Sequence, residues 1–184
     1  MTIPNIITII RFLLVPATIW ALLTHKYDLA FALFLIAGLS DAVDGFIARH
    51  FNQMSELGAY LDAVADKLLL VSVFVVLAIM GQLPLWLVVV AVSRDVLILL
   101  AVLLSTVMGR PVEIRPSLAS KANTAVQILL AVLVLADLAF PLDLAALLWY
   151  LAPLSALLTV VSGAAYLVVW LRHMADHGEG KHTD

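Results

Sequence analysis

Four aspartates form the most chemically suggestive stretch of the 184-residue sequence. Asp41 and Asp44 are three residues apart, and Asp62 and Asp66 are four apart, so each pair shares one face if its segment is helical. The polar stretch 50–56 between the pairs predicts a turn between two antiparallel helices, which would bring the carboxylates together. Like charges gather only with a counter-charge, and hard divalent cations prefer oxygen ligands. The spacing therefore predicts a site for one or two divalent ions.

Helix capping or solubilisation of helix ends is the alternative explanation of these carboxylates. Asp62 fits it, because the dipole at the start of a helix favours an anion. Asp41 and Asp44 do not, since they lie near a predicted helix C-terminus, where anions are disfavoured. Asp66 lies deeper still, where a buried charge is costly and usually marks function. We therefore favour the functional interpretation.

The composition indicates an integral membrane protein. The chain is 64% hydrophobic and 12% charged, with a mean hydropathy of +1.12, whereas a soluble domain is about half apolar and a quarter charged. A net charge of −3 gives no basic surface for nucleic acid. Cysteine is absent, which excludes disulfide and thiolate chemistry.

The elements that would position the aspartates are predicted transmembrane helices, each of which needs about 20 apolar residues. Short polar breaks separate the candidates, so successive helices are expected to be antiparallel. We expect an all-α bundle of six transmembrane helices that forms a single domain over residues 1–184. The predicted spans are 3–24, 28–50, 57–80, 84–107, 118–137 and 144–172.

The distribution of loop cations predicts the orientation of this bundle. One side carries almost all of them, namely Arg49, Arg110, Arg115, Lys121, Arg172 and Lys181. The other side has only Lys26. Both termini and the aspartate stretch are therefore expected at the cytoplasmic face. The N-terminus lacks the features of a signal peptide or an organelle presequence, which favours a bacterial plasma membrane.

Further ionisable residues fall within the predicted spans, where charge is costly. Arg11 and Lys67 are interpreted as side chains that reach an interface by snorkelling. Arg94 and Asp95 are adjacent, and adjacent residues on a helix are not expected to face each other. For Arg94, a structural partner and a phosphate ligand both stay open.

The aspartate stretch resembles the signature of the CDP-alcohol phosphotransferase family. It reads D-x2-D-G-x2-A-R-x8-G-x3-D-x3-D from Asp41 to Asp66, without a gap. The resemblance implies that a hydroxyl attacks the β-phosphate of a CDP-linked lipid and CMP leaves. The four aspartates would hold two divalent cations, Mg²⁺ or Mn²⁺, and Asp66 would also be the general base. The CDP moiety would lie against Gly45, Ala48, Arg49 and Gly58. The family is commonly homodimeric, so a homodimer is expected.

Three other stretches resemble one branch of this family. The opening, Ile3-Pro4-Asn5-x2-Thr8-x2-Arg11, is similar to phosphatidylglycerophosphate synthases and CMP-forming cardiolipin synthases. The S-R-D-V of residues 93–96 and the S-K-x-N-T-x2-Q of residues 120–127 resemble the cardiolipin synthases. The implied reaction transfers a phosphatidyl group from CDP-diacylglycerol to phosphatidylglycerol, and the alternative acceptor is glycerol 3-phosphate. The acceptor would bind Arg94, Arg110, Arg115, Lys121 and Asn123.

The physical argument for this choice concerns Asn123, where the other enzymes usually carry a second lysine. Glycerol 3-phosphate is a near-dianionic monoester that calls for several cations, whereas phosphatidylglycerol is a monoanionic diester. A missing cation therefore favours the lipid acceptor. An alternative of another class, an ion transporter or divalent-cation channel, is disfavoured because the acids cluster near one face instead of lining a path through the bilayer.

Overall fold

The chain is a bundle of α-helices throughout the part that the structure describes. The structure is a computed structural model that describes the backbone of residues 3–51, 56–108 and 118–176, and within these ranges the side chains of residues 9–40, 64–65, 67–108 and 118–171. Six helices and no strand occur in these ranges. The helices are α1 (Ile3–Leu23), α2 (Tyr27–Phe51), α3 (Glu56–Ile79), α4 (Leu85–Val107), α5 (Leu118–Ala139) and α6 (Ala145–Asp176).

These bounds confirm the predicted helices and match the predicted ends to within a few residues. The largest difference is in α6, which continues to Asp176 although the predicted span ends at residue 172. Hydropathy locates only the apolar part of a helix, and a helix can extend beyond the bilayer into water. In the sequence of α6, the apolar run is followed by the polar residues Arg172 and His173.

Among the described side chains, three helices present a stretch that is long and apolar enough to cross a membrane by length and composition. These spans are Leu85–Val107, Leu118–Ala139 and Ala145–Leu171. The first three helices contribute shorter apolar stretches among the described side chains, at Ile9–Leu23, Tyr27–Ser40 and Lys67–Ile79. The structure thus supports a multi-pass membrane protein.

Small side chains allow close approach of the helices. α1 packs on α2 and α3, α5 packs on α2 and α6, and α4 packs on α6 and α3. Alanines at these contacts are fully buried, at positions Ala21, Ala30, Ala37 and Ala131. Lipid tails are as apolar as leucine, so tight packing of small residues is what holds membrane helices together. Large apolar side chains such as Val107, Ile79 and Leu118 point outward instead, as suits a lipid environment.

Two of the turns share one hydrogen-bonding pattern at a helix C-terminus. After α3, the Gly81 and Gln82 amides donate to the carbonyls of Ala78 and Leu77, and Gly81 has a φ of 75°. After α1, His25 and Lys26 make the equivalent bonds, and His25 has a φ of 59°. This is the Schellman arrangement, which requires a left-handed residue and favours glycine there. Histidine is therefore a strained choice at position 25.

Candidate functional site

The structure places the two predicted aspartate pairs on consecutive helices that contact each other. Asp41 and Asp44 belong to α2, and Asp62 and Asp66 belong to α3. Each pair therefore has the helical spacing on which the metal-site prediction depends. The side chains of all four lie outside the described part of the structure, so their convergence stays a prediction.

The other predicted residues of this motif are likewise described by their backbone alone. Gly45, Ala48 and Arg49 lie in α2, and Gly58 lies in α3, with side-chain surroundings outside the described part. Arg110 and Arg115 lie outside the described residues altogether. Among the side chains that are described, no group of three or more histidines, aspartates or glutamates could hold a metal ion. The carboxylates of the motif are thus the donor set to consider, and its chemistry fits Mg²⁺ or Mn²⁺.

Next to this motif, a chain of charged and polar side chains links the last four helices. The Lys67 ammonium on α3 donates to Asp95 Oδ2 on α4 at 2.5 Å. Arg94 Nη1 donates to the other carboxylate oxygen, Asp95 Oδ1, at 2.8 Å. Arg94 Nη2 donates to Ser120 Oγ on α5 at 2.6 Å and to Ser162 Oγ on α6 at 2.8 Å. We call these five residues the α3–α6 polar chain.

Burial makes this chain a strong constraint on helix packing. The Arg94 side chain is 7% exposed and that of Asp95 is 15% exposed, whereas that of Lys67 is 43% exposed. A buried cation in a membrane bundle requires partners. Arg94 has them on both sides, although its Nε has no hydrogen-bond partner among the described residues. Asp95 neutralises one of the two cations, so the α3–α6 polar chain as a whole carries a net positive charge.

The expectation that Arg94 and Asp95 do not face each other was wrong. Spacing rules describe where Cβ atoms point, and the arginine side chain is long enough to turn back to its neighbour. The Lys67–Asp95 pair could have been found from the sequence. Both residues lie fourteen positions from Gly81, one on each side, and residues equidistant from the turn of a helical hairpin lie at the same height.

A second polar cluster joins α5 to α6. Thr159 Oγ1 lies 2.7 Å from both Asn123 Oδ1 and the Ser155 carbonyl oxygen, so its single proton is donated to one or the other, and it accepts from Gln127 Nε2 at 3.2 Å. Asn123 and Thr159 are fully buried. The predicted polar face of the fifth helix is therefore directed at α6. The acceptor-binding role predicted for Asn123 stays a prediction, and in this structure its side chain is enclosed between helices.

Lys121 differs from Asn123 because its side chain is exposed, in the first turn of α5. One residue before it, Ser120 belongs to the α3–α6 polar chain. Lys121 is thus the predicted acceptor contact that the structure describes as open to a ligand. Arg11, interpreted from the sequence as a snorkelling residue, is instead completely buried and takes part in a polar or electrostatic interaction.

An apolar cavity of about 250 Å³ lies between α2, α3 and α5. Its walls include Phe34, Gly38 and Ile128, and its polar lining comes from Lys67 and Thr124. The cavity therefore places one end of the α3–α6 polar chain beside an apolar space. Sequence reasoning missed this feature, because it depends on which helix faces meet.

Comparison with known proteins defines the class to which this helical bundle belongs. Residues 1–174 match the family model for CDP-alcohol phosphatidyltransferase. The chain belongs to this family of enzymes. That match covers all six helices except the end of α6, together with the whole aspartate motif.

Individual relatives fall in two groups. A cardiolipin synthase (CMP-forming) of Homo sapiens is 35% identical over 156 residues, which are 76% of this chain and 51% of that protein. A probable cardiolipin synthase (CMP-forming) of Drosophila melanogaster is 36% identical over 181 residues, 88% of this chain and 56% of that protein. A probable phosphatidylglycerophosphate synthase of Mycobacterium tuberculosis (strain CDC 1551 / Oshkosh) is 34% identical over 174 residues, 91% of this chain and 81% of that protein.

The chain spans about half the length of the first of these curated relatives. Identity is nearly the same in the two groups, at 35% and 34%. Overall similarity therefore establishes the family and leaves the acceptor to be argued from particular residues.

Proposed function

We propose that the chain transfers a phosphatidyl group from CDP-diacylglycerol to a hydroxyl of phosphatidylglycerol, which gives cardiolipin and CMP. The observation that carries this proposal is the ungapped motif from Asp41 to Asp66, located on two contacting helices of a chain that belongs to the CDP-alcohol phosphatidyltransferase family. Family membership also argues against the channel or transporter alternative, which would leave Gly45, Ala48 and Arg49 without a role.

The reaction needs one base and a site for a pyrophosphate. The acceptor hydroxyl oxygen forms a bond to the phosphorus that carries diacylglycerol, the bond from that phosphorus to CMP breaks, and the hydroxyl proton passes to the Asp66 carboxylate. Gly45, Ala48 and Arg49 line the CDP site, and Gly58 leaves room for the nucleotide.

Asp41, Asp44, Asp62 and Asp66 would hold two divalent cations, Mg²⁺ or Mn²⁺. Such ions, when bound, neutralise the charge of the pyrophosphate and of the departing CMP. The role of the chain in this step is to supply carboxylate oxygens from two helices at once. It also provides apolar helix faces that accommodate the acyl chains of both lipids.

The orientation that this chemistry requires follows from the charge distribution. Six spans with both termini in the cytoplasm would place the ends of α2 and α5 that carry Arg49 and Lys121 on the cytoplasmic side, where CDP-lipids are available. The turn at Lys26 would lie on the opposite side, where its ammonium packs 4.7 Å from the centre of the Trp20 ring. We propose the bacterial plasma membrane as the location and a homodimer as the assembly.

The choice of acceptor rests on the number of available cations. Arg94 directs one guanidinium nitrogen to Asp95 and the other to Ser120 and Ser162. This arrangement leaves Lys121, Arg110 and Arg115 as the principal cations for an acceptor phosphate, and Asn123 adds none. A monoanionic phosphodiester suits this supply better than a near-dianionic monoester, which favours phosphatidylglycerol over glycerol 3-phosphate.

The second candidate is phosphatidylglycerophosphate synthase activity with glycerol 3-phosphate as acceptor. Similarity to the mycobacterial relative, over 91% of this chain and 81% of that protein, favours it. The cationic residues above could still serve a monoester if all three converge. The two candidates share the donor, the leaving group and the aspartate motif, so they differ only in the acceptor.

Purified protein in vesicles that contain CDP-diacylglycerol tests the reaction. CMP release should require a divalent cation, stop with EDTA, and occur with phosphatidylglycerol alone as acceptor, with cardiolipin as the lipid product. Formation of phosphatidylglycerophosphate from glycerol 3-phosphate alone, with no cardiolipin from phosphatidylglycerol, would favour the second candidate. No metal-dependent CMP with either acceptor would refute both.

A further inference from the structure

We propose that Asp95 is a positioning residue for this reaction: it holds Lys67, and with it the segment of α3 that carries Asp62 and Asp66, in register against α4. The inference rests on the proposed function, since it assigns Asp62 and Asp66 to the reaction centre. It gives Arg94 the task of fixing Asp95, in place of contact with the acceptor phosphate.

The geometry of the Asp95 carboxylate carries this inference. One oxygen accepts from the Lys67 ammonium on α3, and the other accepts from the Arg94 guanidinium on its own helix. Each oxygen is thus occupied by a different cation, so the carboxylate can neither rotate nor move without the loss of a charge-assisted hydrogen bond.

The Arg94 end of the α3–α6 polar chain is fixed by two other helices. Arg94 donates to Ser120 on α5 and to Ser162 on α6. Gly163 leaves room for the methylene groups of the Arg94 side chain, because a Cβ added at position 163 would lie 3.3 Å from Arg94 Cγ. The carboxylate of Asp95 is therefore held by α4, α5 and α6 together, and α3 is the element whose position it determines.

The location of Lys67 makes this link relevant to the chemistry. Lys67 directly follows Asp66 and is five residues after Asp62 on the same helix. A rotation or shift of α3 at Lys67 would therefore displace both carboxylates relative to Asp41 and Asp44 on α2. A misplacement of about 1 Å at a reaction centre can cost about a hundredfold in rate.

A purely structural role predicts a different result. In that case, loss of the link would lower the Tm and leave the kcat of the folded protein unchanged. The positioning role predicts instead that Lys67→Met lowers kcat, although it leaves the buried Arg94–Asp95 pair intact. A third possibility is that Lys67 itself binds an anionic lipid beside the cavity, and removal of Lys67 and of Asp95 would then have different effects.

The test compares Lys67→Met, Asp95→Asn and the double variant with wild type in the vesicle assay. Lys67→Met is the primary variant because it leaves the buried Arg94–Asp95 pair intact. We expect both single variants to lower kcat by about tenfold to a hundredfold, with each lipid KM within about twofold of wild type. The double variant should be no slower than the slower single variant, since both residues act through one link. Lys67→Arg should retain most of the activity.

A second readout does not depend on turnover. Addition of Mn²⁺ to purified wild-type protein should raise its Tm, and Lys67→Met should reduce that increase, since α3 would present two of the proposed ligands less accurately. Ser105→Ala is the matched control. It removes a hydrogen bond between α4 and α6, from Trp170 Nε1 to Ser105 Oγ at 2.8 Å, without reaching α3. Its kcat and its Mn²⁺-induced rise in Tm should resemble those of wild type.

Each other outcome overturns the proposal in a recognisable way. An unchanged kcat in both single variants would show that the link has no effect on the reaction. A raised lipid KM in Lys67→Met alone would assign Lys67 to direct lipid binding. Equal losses in Ser105→Ala would indicate general loosening of the bundle. Absence of metal-dependent CMP release from wild type would instead refute the proposed function, and the inference with it.

Discussion

At the scale of single residues, Asp66 is the position on which the proposed chemistry depends most. Asp66→Asn removes the proton acceptor while it preserves size and polarity. We expect turnover to fall by about a hundredfold to ten-thousandfold. Binding of CMP, measured by calorimetry, should be retained. Loss of CMP binding together with turnover would contradict a role confined to proton transfer and would assign the effect to metal and nucleotide binding by Asp66.

A matched control for this substitution is Asp137→Asn in α5. Asp137 Oδ1 accepts a hydrogen bond from the Leu144 amide at 3.0 Å in the turn before α6. An asparagine oxygen can accept the same bond, so activity should stay close to that of wild type. Reduced turnover in the control would mean that any loss of an aspartate charge impairs the enzyme.

The predicted acceptor contact at Lys121 is a second prediction at this scale. Lys121→Ala should raise the KM for the acceptor lipid more than the KM for CDP-diacylglycerol, because the exposed ammonium is proposed to bind the acceptor phosphate. Steady-state kinetics with each lipid varied in turn measures both constants. Lys26→Ala, at the opposite end of the bundle, is the control. An unchanged acceptor KM would indicate instead that Lys121 makes only a general contact with anionic lipid.

The spacing of the four aspartates predicts their placement on two consecutive helices, and the structure has them on α2 and α3. The aspartate motif can be recognised because the order of residues alone sets the i,i+3 and i,i+4 spacings and the polar stretch between the two pairs. The interactions of Arg94 were not predictable, since its partners Ser120 and Ser162 lie on other helices and the reach of a long side chain overrides the spacing rule. Burial of Asn123 against Thr159 was missed for the same reason.

At the scale of helices, the two similar turns make a prediction about stability. His25 and Gly81 occupy equivalent left-handed positions, with φ of 59° and 75°. His25→Gly should stabilise the protein by about 1 kcal/mol, since glycine adopts this conformation without strain. The hydrogen bond between the exposed His25 Nδ1 and the Tyr27 hydroxyl would be lost, which offsets only part of the gain.

Gly81→Ala is the reciprocal variant and should destabilise the protein by about 1 kcal/mol. No described atom lies within 4 Å of the added methyl, so the cost is conformational and not steric. Thermal unfolding in detergent, followed by circular dichroism, compares the two variants with wild type. Shifts of the same sign would contradict the assignment of strain to position 25.

Helix positions were largely predictable, because runs of apolar residues broken by short polar segments specify them directly. The turn chemistry was not. Glycine at position 81 signals a helix end, whereas histidine at position 25 gives no such signal and only the backbone angle identifies the strain. Which faces of the helices meet, and hence the cavity between α2, α3 and α5, also depends on three-dimensional packing.

At the scale of the whole molecule, the proposed orientation can be tested with cysteines. The natural chain has none, so an introduced cysteine is labelled without background. Leu118→Cys, at the start of α5 where Leu118 is 84% exposed, should react with an impermeant maleimide only after cells are opened. Lys26→Cys should react in intact cells. The reverse pattern would place the aspartate motif on the wrong side for CDP-lipids.

The class of the molecule was predictable from its sequence because composition and one gapless motif are sufficient for it. The acceptor is harder to predict, since the relatives with either acceptor are similarly identical to the chain. It depends on a few cations at the ends of helices, and Arg110 and Arg115 among them lie outside the described residues.

The most direct measurement of the central claim is a competition between the two acceptors. Wild-type protein is placed in vesicles that contain CDP-diacylglycerol and phosphatidylglycerol, with glycerol 3-phosphate in the buffer and Mg²⁺ or Mn²⁺ present. Mass spectrometry of the lipids then reports both products against the CMP released. We predict that one cardiolipin forms for each CMP released and that phosphatidylglycerophosphate is at most a minor product. Phosphatidylglycerophosphate as the main product would contradict the assignment of phosphatidylglycerol as the acceptor.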